Sequence, residues 1–448
     1  MRPPPVSDPG AAVPITHRRV LAIAIPIVVS NATVPLAGLV DTGVVGQLGA
    51  AAPIGAVGLG ALVLTSIYWV FGFLRMGTTG LTSQAFGARD QAEVDRVLAR
   101  ALMIGFGGGL VVFALQVPLF WVVFWAAPAS GEVEDLARTY MAIRVLSAPA
   151  AIAIYGITGW LIGQERTRAV LAIQVMTNGV NIGLSALFVL VFGWGIEGVA
   201  AATVIAEWMG VALALMMCRT ALGRPATKDW SAVLNRPALW RMAAVNGDIL
   251  LRTLLLQAIF LTFTAYGASL GDVELAANHV LLQFLMITAF ALDGFAFAAE
   301  ALVGAALGAK RRDALRRSAV LTVGWGAVIV TGLAAIFALF GGMLIDLLTT
   351  AEDVRAQARV YLPWVVAAPL IGCAAWMLDG IFIGATRTRE MRNMMGVSLV
   401  IYGAAALILV PIFENHGLWA ALMVSFVARA VTLGMLYPRL EAGAGQIP

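Results

Sequence analysis

The chain is poor in charge, in cysteine and in histidine, and each shortage removes a class of function. Charged residues make up 12% of the 448 residues, about half the share of an ordinary soluble domain. Hydrophobic residues reach 60% and mean hydropathy is +0.90, so the chain belongs in a bilayer. Its two cysteines, Cys218 and Cys373, lie within or at the end of apolar segments, which gives neither a disulfide framework nor a metal-binding spacing. The three histidines, His17, His279 and His416, are too scattered for a zinc centre. No metal or cofactor is expected. A nucleotide loop is lacking too. The run Gly55-Ala-Val-Gly-Leu-Gly60 sits inside an apolar stretch without the Lys-Ser/Thr ending, and small residues there suit close helix packing. Any uphill work must then draw on an ion gradient. The first 16 residues are polar and Pro-rich, without a signal-peptide pattern, so the run from Val20 reads as a retained span.

Long apolar runs are what the chain has in abundance. Twelve are centred near Val28, Leu64, Gly109, Ile152, Leu184, Val211, Gln257, Leu285, Val328, Pro369, Ala405 and Val427. Roughly 20 apolar residues cross a bilayer as a helix, and only helices or closed barrels satisfy their backbone there. These runs are too long for barrel strands, so the fold class is all-α integral membrane.

The second half repeats the first at one offset. Ala137-Arg-Thr-Tyr140 returns as Ala358-Arg-Val-Tyr361, Gly87-Ala-Arg89 as Gly308-Ala-Lys310, and Ile162-Gly-Gln-Glu-Arg-Thr-Arg168 as Ile383-Gly-Ala-Thr-Arg-Thr-Arg389, each pair 221 residues apart. Three matches at one spacing imply two homologous six-helix lobes, an arrangement typical of secondary transporters. The expected organisation is an N-terminal lobe over 1–218, a linker over 219–241 and a C-terminal lobe over 242–448. Six spans per lobe give the two lobes the same orientation, with a central cleft between them.

Charge placement sets the orientation. When loops are assigned alternately to the two sides, 22 of the 29 Lys and Arg fall with the termini, the exceptions being Arg75, Arg138, Arg144, Arg252, Arg355, Arg359 and Arg429. The opposite loops hold acids such as Glu132, Glu134, Asp135, Glu197, Asp272, Glu352, Asp353 and Glu414. By the positive-inside pattern both termini are expected in the cytoplasm, with the chain in the cell's inner membrane. Basic charge scattered over many loops does not form a nucleic-acid patch.

Ionisable residues inside spans carry the chemical signal, because a charge at the bilayer centre costs roughly 3 kcal/mol. Asp41 follows two helix-interrupting prolines, Pro26 and Pro35; it is a coupling candidate or a helix-end residue at the water interface. Tyr140, Asn178, Asn181 and Thr203 are its candidate polar partners, the two asparagines lying on one helix face or simply bonding neighbouring helices. The second lobe holds Asp248, Arg252, Asp293, Glu300 and Asp379. Asp248 and Arg252 have the spacing of an intrahelical ion pair. The remaining acids leave an excess that could hold a cation, a proton or a cationic solute. Arg75 and Arg429 are available counter-charges, and Glu207 faces either a partner or a crevice.

At these residues the chain resembles the multidrug and toxic compound extrusion (MATE) family, most closely its DNA-damage-inducible (DinF-type) branch. The matching strings are Val40-Asp-Thr42, Phe73-Leu-Arg-Met-Gly-Thr-Thr-Gly-Leu-Thr-Ser-Gln-Ala-Phe-Gly-Ala88, Leu250-Leu-Arg-Thr-Leu-Leu-Leu-Gln257, Ala291-Leu-Asp-Gly-Phe-Ala296 and Leu378-Asp-Gly-Ile-Phe-Ile-Gly-Ala-Thr386. The resemblance implies a V-shaped twelve-helix antiporter exporting organic, often cationic or amphipathic compounds against protons or sodium. It implies that Asp41 is central to coupling, with Tyr140, Asn181 and Thr203 nearby. One departure matters: where relatives often carry an Asp four residues after the fifth-span Asn, this chain has Ser185. That favours protons over sodium. A monomer working on small organic solutes within lipid is expected. The rival readings are a lipid-linked precursor flippase of related fold, which would favour a strongly basic cleft and further spans; an intramembrane aspartyl protease, in which the repeat has no role; and a major-facilitator transporter, against which the quoted strings argue.

Overall fold

A computed structural model describes residues 14–47, 51–126 and 130–445; Arg2, counted above among the cytoplasmic charges, lies outside them. Every regular element among the described residues is helical. The first half runs α1 (His17–Gly46), α2 (Ala51–Val70), α3 (Gly72–Gly87), α4 (Gln91–Ala114), α5 (Gln116–Ala126), α6 (Gly131–Arg144), α7 (Ala148–Gly163), α8 (Thr167–Ala186) and α9 (Gly195–Met217). Three four-residue helices follow, α10 (Arg219–Leu222), α11 (Pro225–Lys228) and α12 (Trp230–Val233). The second half is α13 (Arg236–Leu270), α14 (Asp272–Gly308), α15 (Arg312–Leu348), α16 (Glu352–Gly384) and α17 (Thr388–Gly443).

Eleven helical segments among the described residues are long and apolar enough to cross a membrane, with α2 and α3 forming one and α6 and α7 another. The last segment contains two spans. Within α17, Glu414 leaves the helical region (φ 51, ψ −128). Ser398 Oγ donates to the Ser425 carbonyl at 2.7 Å, whereas residues this far apart on one straight helix would be separated by about 40 Å. The chain therefore folds back at Glu414. At the corner Asn278 and Asn415 exchange side-chain amide hydrogen bonds (2.7 and 2.9 Å), and Trp419 Nε1 donates to Asn278 Oδ1 at 2.8 Å. Splitting α17 there gives the twelve spans the sequence predicts.

The repeat recurs in the backbone. Arg89 and Lys310 take φ of 60° and 55°, and Glu165 and Thr386 take 61° and 52°. Each ends a helix with a 6→1 bond: Asp90 N to Ala85 O at 3.0 Å, Arg311 N to Ala306 O at 2.9 Å, Arg166 N to Leu161 O at 2.9 Å and Arg387 N to Phe382 O at 3.0 Å. Non-glycine residues accept this left-handed geometry at about 1–2 kcal/mol each because the turn satisfies otherwise orphaned carbonyls.

Between the halves, α1 packs against both α8 and α14, while α3 packs against α7 and also against α13 and α14. One apolar cluster joins Val20, Ile23 and Ala24 of α1 to Leu292 and Phe295 of α14 and Met377 and Ile381 of α16. The connection over 219–235 lies along α4: buried Arg100 donates to the carbonyls of Val233 and Ala232 at 2.8 and 2.9 Å, and Arg224 pairs with Asp95 at 3.1 Å.

Candidate ion-coupling site

In the first half, α1 continues through Pro26 and Pro35 and presents Asp41, half-buried, to α8. Its partner is the residue that departs from the family pattern. Ser185 Oγ, fully buried, donates to Asp41 Oδ1 at 2.8 Å. One turn earlier on the same face of α8, Asn181 donates to Thr203 Oγ1 of α9 at 2.9 Å, and Thr203 in turn donates to the Val199 carbonyl at 3.0 Å. One turn after Thr203, Glu207 accepts from Arg144 Nη1 at 3.1 Å. Tyr140, buried at 2% exposure, lies one turn before Arg144 on α6. Asn178 leaves this group: it donates to Thr33 Oγ1 at 2.7 Å, about 12 Å along α1 from Asp41. Of the predicted set, Asn181 and Thr203 bond to each other one helical turn from the Ser185–Asp41 contact, while Asn178 ties α8 to α1 elsewhere.

The second set is reorganised more heavily. Asp248 and Arg252 do not pair with each other. Arg392 of α17 reaches Asp248 Oδ1 at 2.6 Å and Thr388 donates to its other oxygen at 3.2 Å. Arg252, turned one step around α13 into the interior, donates to Asp379 of α16, and Arg429 of α17 lies 3.9 Å from the same carboxylate. Glu300 is claimed from the other half: Arg75 of α3 holds both its oxygens, at 3.0 and 3.3 Å, and lies 3.8 Å over the Phe297 ring. The acidic excess expected from sequence is thus cancelled by arginines on other helices. Asp293 is the exception: among the described residues its one side-chain hydrogen-bond partner is Asn31 of α1, whose amide lies 3.5 Å from its carboxylate. Among the described residues, Asp41 and Asp293 are the two candidate acids with no ion pair.

Sequence reasoning missed Ser185 as a partner, although its spacing of four from Asn181 places it on the same helix face. It also missed Arg144, Arg392, Thr33 and Asn31, whose pairings join distant helices. An open apolar groove of about 520 Å³ lies between α13 and the first arm of α17, lined by Leu251, Leu255, Val397, Val400 and Ile401 with Arg392 at its edge.

Fold and site together define a multi-pass, all-helical membrane protein of two repeated halves that meet at buried ionisable side chains. The MatE family model matches residues 26–187 and again residues 249–408. DNA damage-inducible protein F of Escherichia coli (strain K12) is 39% identical over 93% of this chain and 91% of its own length. A protein of Deinococcus radiodurans described as probable multidrug resistance protein NorM is 26% identical over 95% of this chain and 96% of its own length. Among solved structures, MATE in the bent conformation superposes with a TM-score of 0.86 at 19% identity, covering 96% of this chain and 97% of that one. An outward-facing multidrug resistance MATE family transporter gives 0.85 at 20% identity, over 95% and 96%. The chain belongs to the MATE family of transporters.

Proposed function

We propose that this protein is a secondary antiporter that exports amphipathic organic compounds across the inner membrane in exchange for protons, by alternating access of a cleft between its two lobes. Both termini face the cytoplasm and one copy suffices. The observation that carries the reading is the contrast among the acids within the spans: Asp248, Glu300 and Asp379 are each held by arginine, whereas Asp41 is met by a neutral hydroxyl. A carboxylate neutralised by arginine has no need of a proton. Asp41, inside a span and without such a partner, gains or loses a full charge when it is protonated.

Tyr140, Asn181 and Thr203 then form the polar surround of the carrier, and Asn178 fixes the α1–α8 packing on which its position depends. Protonation from outside removes the charge of Asp41, releases Ser185 and lets the proline-containing α1 shift, which weakens the cargo site. One proton moving through 100 mV supplies about 2.3 kcal/mol, and each tenfold concentration ratio requires about 1.4 kcal/mol. At about 150 mV a neutral cargo could be concentrated a few hundredfold. Asp293, on α14 and facing Asn31 of α1, is placed to act as a second carrier between the halves. The arginines around Asp379 support protons over sodium in the second half.

Proteoliposome efflux of a fluorescent organic cation, under separately imposed proton and sodium gradients, tests the assignment. Proton-driven efflux lost in Asp41→Asn is the expected result. Wild-type rates in that variant, or drive by sodium alone, would overturn it.

A further inference from the structure

We propose that the second half carries an oxyanion site, centred on Arg429 and Arg252, that takes the carboxylate of an amphipathic organic solute. The inference rests on the reading of this chain as an exporter of organic compounds and names a chemical class for its cargo.

Its basis is a local failure of charge balance. Three other interior pairs match one to one: Arg75 with Glu300, Arg144 with Glu207 and Arg392 with Asp248. Where α13, α16 and α17 converge, two guanidiniums share the single carboxylate of Asp379. The exposures are 8% for Arg252, 5% for Asp379 and 2% for Arg429, so solvent does not dilute the excess positive charge. A buried charge without a matched partner is strongly destabilising, and a site that retains one has a use for it.

Hydrogen bonding points the same way. Arg252 holds Asp379 directly. Arg429 does not, since its Nη1 stands 3.9 Å from Asp379 Oδ2, beyond hydrogen-bond distance. Among the described residues its Nε and Nη2 are buried with no acceptor, as is Arg252 Nε, and Asp379 Oδ1 is buried with no donor. Four of the ten such atoms among the described residues fall in this triad. Native proteins leave few buried polar atoms unsatisfied, and those that remain call for an explanation. Arg429 presents a planar fork of donors, the geometry that binds a carboxylate through both oxygens. A cation has no place beside two guanidiniums.

The surroundings suit an aromatic or apolar body attached to that carboxylate. Arg429 lies 5.9 Å from the Phe426 ring centroid, and Phe426 packs edge-to-face on Trp376 at 5.3 Å. In the loaded state the solute carboxylate takes the fork of Arg429 while Asp379 keeps Arg252, which matches the two unequal distances. Outward movement of such an anion also runs with an inside-negative membrane potential.

The test uses the full-length protein in phosphatidylcholine nanodiscs with radiolabelled 4-phenylbutyrate, competed by the unlabelled acid, by 4-phenylbutanamide and by 4-phenylbutylamine. The acid should compete at least about tenfold better than the amide or the amine. Arg429→Gln should weaken binding about tenfold or more, Arg429→Lys less, and Asp379→Asn should tighten it by removing the competing carboxylate. That opposite sign separates a binding role from a structural one, because damage to the fold weakens all variants alike. Equal competition by the amine, absent binding, or weakening in both Arg429→Gln and Asp379→Asn would overturn the proposal. Displacement of the probe by added phosphatidylglycerol would support the oxyanion site and assign its donors to a lipid phosphodiester. Proton-driven efflux of an organic cation from protein that binds no phenylbutyrate sinks this inference and leaves the export reading standing; phenylbutyrate binding without driven transport of any solute does the reverse.

Discussion

Gly87 and Gly308 occupy equivalent positions in the two halves and lock those halves together by the same contact made twice. A Cβ on Gly87 would lie 1.9 Å from the Ala305 carbonyl oxygen, and a Cβ on Gly308 would lie 1.9 Å from the Gln84 carbonyl oxygen. Gln84 and Ala305 are themselves separated by the repeat offset. The contact is therefore self-complementary, as at the interface of a twofold dimer, and the local axis passes between α3 and α14. Only glycine permits such an approach. Within each half the correspondence continues: a Cβ on Gly159 would meet the Arg75 carbonyl at 2.3 Å and one on Gly380 the Ala296 carbonyl at 2.7 Å.

Gly87→Ala or Gly308→Ala is expected to destabilise the fold by about 1–3 kcal/mol, the usual range for overpacking, because backbone rather than a mobile side chain must retreat. Gly107→Ala is the control, with no atom within 4 Å of its Cβ. Thermal unfolding in one detergent should lower the midpoint for the first two and not for the third.

The Arg75–Glu300 pair joins α3 to α14 with side-chain exposures of 10% and 2%. Removing one partner of a buried pair costs about 3–5 kcal/mol, whereas replacing both by apolar residues is often neutral. Arg75→Met should lose most folded protein on extraction, and Arg75→Met with Glu300→Leu should recover it. A double variant no more stable than the single one would contradict this account.

Ser185 donates to Asp41 at 2.8 Å, and a hydrogen bond to a charged group contributes about 1.5–3 kcal/mol. Ser185→Ala should slow proton-driven efflux about tenfold or more, while Ser185→Thr, which keeps the hydroxyl, should retain most of it. Unchanged initial rates in Ser185→Ala liposomes would remove this hydroxyl from the coupling group.

The connection after α9 depends on Arg100, which is 3% exposed and donates to two carbonyls of α12 and its end. Arg100→Gln should expose the segment, and limited trypsin digestion should cut near Arg219 or Lys228 in the variant well before the wild type. Asp229 caps α12: the Ser231 hydroxyl and the Ala232 N–H hold its carboxyl below the usual value of 3.8. A lowered pKa means that this cap is intact above the ordinary carboxylate range and is lost as pH falls through the lower, folded value. Protection of the segment should therefore persist at neutral pH and decline only in strong acid.

Much of this protein is determined by sequence alone because its strongest signals are local. Apolar runs of span length impose helices in a bilayer whatever their neighbours, and a twofold repeat survives as matching strings and matching helix ends at Arg89 and Lys310. The reversal at Glu414 is legible in the same way, from a polar Glu-Asn-His between two apolar runs. Which charges meet was decided only by tertiary structure. Asp248 and Arg252 stand one turn apart on one helix, yet α13 presents the first to Arg392 and the second to Asp379. Asn178 and Asn181 share a helix face, yet one faces α1 and the other α9. Spacing along a helix fixes direction around its axis to within a turn, but the depth, rotation and crossing of twelve packed helices set which partner lies within 3 Å. At that distance in a low-dielectric interior, the partner determines whether a carboxylate is a fixed structural charge or one free to carry a proton.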